Sequence, residues 1–227
     1  YLCEQLYEND LFDYGYISLG KLDQGHNSEI LTQPILLEDD IVNKEGDDAT
    51  ASANLAITND VNSLGNMNYW HDHFLNVVSE TTIHTNVFIS EKTLKPIMGY
   101  RPFVILGDDR IYDKLHEWGI DTFDDIFGEG YRQPWYEQRA QWIVDVIRDI
   151  SKNKHLNLLY KSLIPRLELN KRELLIQMNS NQELINIISK RFFARLTNKF
   201  LVRIMLLKYS FITIKVFYIT IFSYTFF

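Results

Sequence analysis

The run "PFVILG", residues 102–107, most narrows what this chain can become. Its unbroken apolar core, with β-branched Val104 and Ile105, reads as a strand, and Gly107 stops it. Helical patterns follow directly. Asp108 or Asp109 is placed to cap a helix carrying Ile111, Leu115 and Trp118, with Gly119 as its stop. Residues 135–152 repeat Ile143, Val146, Ile147 and Ile150 at i, i+3, i+4, i+7, the spacing of an amphipathic helix. A further helix is expected over 155–163, ending before Pro165, and more helix from 166 to 200. Upstream, residues 1–12 read as helix and "YGYISLG" (14–20) as a short strand. Phe74–Val78 reads as a buried strand, and "TNVFIS" (85–90) and "IDTF" (120–123) as short extended pieces. Strands alternating with helices predict an α/β layer fold in which 102–107 is a central parallel strand. Residues 21–66 are polar, rich in Asp, Asn, Ser and Gly, and read as loops.

Charge excludes one class of partner. All 30 acidic residues lie at or before Glu183, while seven of the 23 basic ones come after it, so an acidic body carries a basic tail. An acidic body does not suit nucleic-acid binding, which needs a basic face. The single cysteine, Cys3, rules out a disulfide framework and a cysteine metal site, and fits a reducing, cytoplasmic compartment. The first residues lack the basic start and apolar core of a signal peptide.

The chemistry concentrates in "FISEKTLKPI", residues 88–97. Ser90 is placed to cap a helix beginning at Glu91, whose carboxylate meets the positive end of the macrodipole. Lys92 and Lys95, three apart, share a face. A helix amino terminus after a strand favours a phosphate; a lysine adds a point charge, and a carboxylate accepts two hydroxyls of a ribose. The plain alternative is a capped surface helix with a Glu91–Lys95 pair, worth about 0.2–0.5 kcal/mol. Pro96 predicts that this helix bends or restarts there.

The wider run "VFISEKTLKPIMGYRPFVILG" (87–107) resembles the donor-binding segment of GT-B glycosyltransferases, above all the α1,3-fucosyltransferase-like group, and phage and environmental proteins with "SEKTWKPI". The resemblance spans about 74–131. It implies a Rossmann-like parallel sheet of the GT-B C-terminal half with a helical C-terminal region. It implies that Glu91 binds the nucleotide ribose, that Lys92 binds a donor phosphate, and that Phe88 lies where the group has a Tyr near the donor. Lys95 is outside the match and rests on geometry. It further implies transfer of a sugar from a nucleotide-diphosphate donor to an unidentified acceptor, with no metal required because basic residues and the helix terminus offset the diphosphate charge. The group's catalytic base and N-terminal half are not recognisable, so the chain, starting at Tyr1, is expected to be incomplete there. A non-catalytic nucleotide-sugar or glycan-binding module stays open beside the enzyme. So does a membrane-tethered interaction protein in which 88–97 is only a capped helix.

Glu80, just past the Phe74–Val78 strand, is a second-choice donor-site residue, since α/β folds bind ligands at strand carboxyl ends; a strand-end cap is the equal alternative. His71 and His73 would share a face of a strand, as two metal ligands do, but no third ligand stands at a telling spacing. Trp118, Trp135 and Trp142 read as packing residues, and the four acids of "DTFDDIFGEGY" lack calcium-loop spacing. The organisation expected is an irregular segment over 1–68, a nucleotide-sugar-binding α/β domain over 69–190, and a basic apolar tail over 191–227. Within that tail, 200–227 is strongly apolar, interrupted by Lys215. It reads either as a membrane anchor, which would make the protein membrane-associated, or as non-native read-through.

Overall fold

A computed structural model describes residues 1–19, 31, 64, 67–80, 87–180 and 215–221. It is a mixed α/β structure built on a parallel sheet. Helix α1 (Leu2–Glu8) buries Leu2, Cys3 and Leu6, and a 3-10 turn (Phe12–Tyr14) leads into β1 (Gly15–Leu19). Helix α2 (Met67–Asp72) runs directly into β2 (His73–Ser79), whose first six residues are buried. Helix α3 (Glu91–Met98) precedes β3 (Phe103–Leu106). Then come α4 (Arg110–Glu117), the short α5 (Asp124–Phe127), a 3-10 turn (Gly130–Arg132), α6 (Tyr136–Ser151), α7 (Leu156–Ser180) and β4 (Lys215–Ile221).

The sheet order is β1-β4-β2-β3 with every pair parallel. The register sets Asn76 opposite Phe103 and His73 opposite Lys215. Residues 215–221, assigned by sequence to a separate apolar tail, are thus a strand between β1 and β2. The remainder of that tail lies outside the described residues, as do 21–30, 32–63 and 81–86. No helix among the described residues is long and apolar enough to cross a membrane.

One expectation about β3 is corrected. It ends the described order instead of lying at its centre, yet all four residues are buried. The side chain that closes it is Tyr112 of α4. Its hydroxyl accepts from the Ile105 N–H (2.6 Å) and donates to the Ile105 carbonyl (3.2 Å). An edge strand presents unpaired backbone groups, and here a phenol satisfies one residue's pair. Tyr112 also stacks flat on Tyr131, ring centroids 3.6 Å apart. Burial pushes its phenol far above the usual range, so it stays protonated.

Helix α6 carries the expected stripe, burying Ile143, Val146, Ile147 and Ile150. Helix α7 is one element, not two. It passes through Pro165, an exposed residue that removes the N–H an unbroken helix would offer the Lys161 carbonyl. Helix α3 likewise runs unbroken through Pro96. Pro96 is its sixth residue, and only two more follow. The Gly99 N–H reaches the Lys95 carbonyl (2.8 Å) and the Arg101 N–H the Pro96 carbonyl (2.9 Å), closing the helix at once. The pieces expected at 85–90 and 120–123 are not strands in their described parts, 87–90 and 120–123. Phe123 sits in the left-handed region (φ 62°), fully buried, and starts α5.

Candidate functional site

In a parallel sheet all strands end on one side. Here β2 ends at Ser79 and β3 at Leu106, and Glu80 and Gly107 follow them. The Glu80 N–H donates to the Leu106 carbonyl (3.0 Å), extending the ladder by one residue and setting Glu80 beside Gly107.

Glu80 is 3% exposed, and its carboxylate is fully engaged. Oε1 accepts from the Ser90 N–H (3.0 Å) and the Thr93 hydroxyl (2.6 Å); Oε2 accepts from the Ser90 hydroxyl (2.7 Å). The Ser90 Oγ in turn accepts from the Lys92 N–H at 3.2 Å, the cap anticipated from sequence. Glu80 therefore pins the amino terminus of α3 to the end of β2. Burying a carboxylate is costly unless donors surround it, and three donors do.

The other anticipated residues fall around this clasp. Glu91, the first residue of α3, is half-buried, and it makes no ion pair with Lys95. Lys92 is 8% exposed, Lys95 half-buried, and Phe88 48% exposed just before the helix. Ser90, Lys92 and Glu80 are thus brought together directly. Glu91 adjoins them, Lys95 lies a turn further along, and Phe88 stands outside the core.

The end of β3 adds Asp108, anticipated as a cap, and Arg139, which sequence reasoning missed. Asp108, buried, accepts from the Arg110 N–H (3.0 Å) and Nε (2.8 Å) on Oδ1 and from Nη2 (2.7 Å) on Oδ2. Those bonds hold its carboxyl below the usual carboxylate range. Asp108, not Asp109, thus supplies the side-chain bond at the start of α4. From α6, Arg139 is 4% exposed, and its Nη1 donates to the Gly107 carbonyl at 2.5 Å. A signal for it was present: Arg139 falls four residues before Ile143, on the apolar stripe, where a charge is out of place. Trp135 caps the same helix at 67% exposure, so it is not a packing residue. Trp118 is buried, and Trp142 donates from its indole to the Phe127 carbonyl (2.8 Å).

The opposite side of the sheet is tied differently. His73 opens β2, not a strand shared with His71, which lies in α2. Both His73 nitrogens are engaged, Nδ1 with the Tyr69 carbonyl (2.6 Å) and Nε2 with Asn76 Oδ1 (2.8 Å), leaving none for a metal. Burial first, and the nearby Arg101 second, lower its pKa to about 3. Arg101, fully buried, donates to the Tyr100 carbonyl (2.9 Å), the Tyr160 hydroxyl (2.5 Å) and the Trp70 carbonyl. In the acidic loop, Asp121 and Asp125 are gripped by Arg166, and Asp124 accepts from Thr122 (2.6 Å) and Tyr131 (2.9 Å). No group of three or more potential metal ligands occurs among the described residues.

No family model, no curated protein and no solved structure matches this chain.

Proposed function

We propose that the carboxyl edge of the sheet holds the diphosphate of a nucleotide sugar, and that the chain is the donor-binding half of a GT-B-type glycosyltransferase. One observation carries the reading: Glu80 clasps the Ser90-capped amino terminus of α3 at the end of β2, with Lys92 in its first turn. Helix amino termini at strand ends are where α/β sheets receive phosphates. In this reading Lys92 offsets phosphate charge, with Lys95 secondary, and Glu91 accepts the ribose hydroxyls. Glu80 and Ser90 position the helix instead of touching the ligand, because their polar atoms are already bonded. Phe88 offers an exposed ring beside the site. The acceptor and catalytic base are left unassigned. Binding without transfer is the second reading, favoured by both buried carboxylates of this edge, Glu80 and Asp108, being committed to donors and so unable to act as a base.

Calorimetric titration of GDP, UDP and dTDP tests the proposal. A charge-assisted hydrogen bond is worth about 1.5–3 kcal/mol, so Lys92→Ala should weaken binding roughly ten- to a hundredfold. Glu91→Gln should weaken it less than Glu91→Ala, since an amide oxygen still accepts. If wild type binds no nucleotide at millimolar concentration, the reading fails. If Lys92→Ala binds as wild type does but melts earlier, α3 is a capped helix and nothing more. Release of free sugar from a bound donor separates transfer from mere binding.

A further inference from the structure

We propose that Arg139 is a second anchor for the same ligand, a residue that takes a phosphoryl oxygen through the Nε side of its guanidinium. The inference rests on the nucleotide-diphosphate reading of this edge and adds to it a contact from a different helix.

Arg139 is buried where a cation is expensive. Among the described residues its one hydrogen bond runs from Nη1 to the Gly107 carbonyl, and its Nε is buried with no partner. No carboxylate among the described residues is within ion-pair distance of it. Asp108, the nearest candidate by sequence to Gly107, has both oxygens taken by Arg110 and meets Arg139 only through space, without a hydrogen bond. An unmet guanidinium in a protein interior is destabilising unless something answers it. The neutral carbonyl of Gly107 answers one nitrogen and fixes the plane of the group. That carbonyl belongs to the residue just after β3, beside Glu80, so the guanidinium is held at the sheet edge where α3 also begins. A guanidinium presents its donors in a planar fork that matches a phosphate, which a lysine cannot reproduce. Lys92 from α3 and Arg139 from α6 would then flank one diphosphate. The Gly107 bond keeps Arg139 oriented before the ligand arrives.

Inorganic pyrophosphate is the probe, titrated into the full chain with 15N-labelled arginine. The Nε–H resonance of Arg139, assigned by its loss in Arg139→Lys, should shift on saturation. Arg139→Lys, which keeps the charge and loses the fork, should bind pyrophosphate about tenfold more weakly with an unchanged circular dichroism spectrum. Arg139→Gln should bind more weakly still; if it does not fold, the resonance and the lysine variant decide alone. Pyrophosphate binding with an unmoved Nε–H and an unaffected lysine variant overturns the assignment while leaving the donor site intact. No binding of pyrophosphate to wild type also overturns it. Arg139-dependent pyrophosphate binding, with GDP, UDP and dTDP binding no tighter than pyrophosphate, upholds Arg139 and sinks the nucleotide reading instead.

Discussion

At the scale of single residues, two buried polar groups with opposite duties mark the two ends of β2. Glu80 at the carboxyl end is a charged acceptor met by three donors. His73 at the amino end is kept neutral by burial, its ring nitrogens held beside the Tyr69 carbonyl and the Asn76 side-chain amide. Its folded pKa, about 3, lies below the ordinary histidine value near 6.5. The unfolded chain therefore binds a proton that the folded one refuses between those values. His73 contributes its stability fully above pH 6.5, and that contribution is lost as pH falls from about 6.5 towards 3, at no more than about 1.4 kcal/mol per pH unit. Urea unfolding at stepped pH should show this slope between pH 6 and 4.5, above the range in which the paired aspartates titrate. His73→Gln should flatten it. An equal slope in the variant would mean that other groups carry the acid sensitivity.

At the scale of elements, the edge strand β3 is the instructive case. A four-residue apolar strand at the end of a sheet invites pairing with another chain. Tyr112 blocks this by bonding both backbone groups of Ile105. Tyr112→Phe keeps the ring stack on Tyr131 and removes only the hydroxyl, leaving a buried N–H and carbonyl unsatisfied. The cost should be about 1–3 kcal/mol, read from the midpoint of urea unfolding. The Ile105 amide should also exchange with deuterium markedly faster than in wild type, while the Val77 amide in β2 keeps its protection. Unchanged exchange at Ile105 would show that something other than Tyr112 guards the edge.

At the scale of the molecule, β4 decides how the sheet is joined: it lies between β1 and β2, so β1 reaches the rest of the sheet only through residues 215–221. A chain ending at residue 199 should lose β1 from the cooperative unit. It should melt at lower temperature and be cut by protease near residues 15–19, whereas an appended tail could be removed without either effect. Much of the local structure was legible before any coordinates. The stripe of α6, the Ser90 cap and the β2 and β3 runs depend on neighbours within one turn or on alternation along one strand, and those periods are written in the sequence. The site was legible only in part, since Glu80 was marked by its place after a strand but not by its partners ten and thirteen residues on. What only the tertiary structure decided are contacts with no period: Tyr112 folding back on Ile105, Arg139 reaching Gly107 across 32 residues, and a C-terminal segment entering the middle of the sheet. Such pairings are selected by the closing of the whole chain around its core, where burial makes each unmet polar group expensive, and no local pattern announces them in advance.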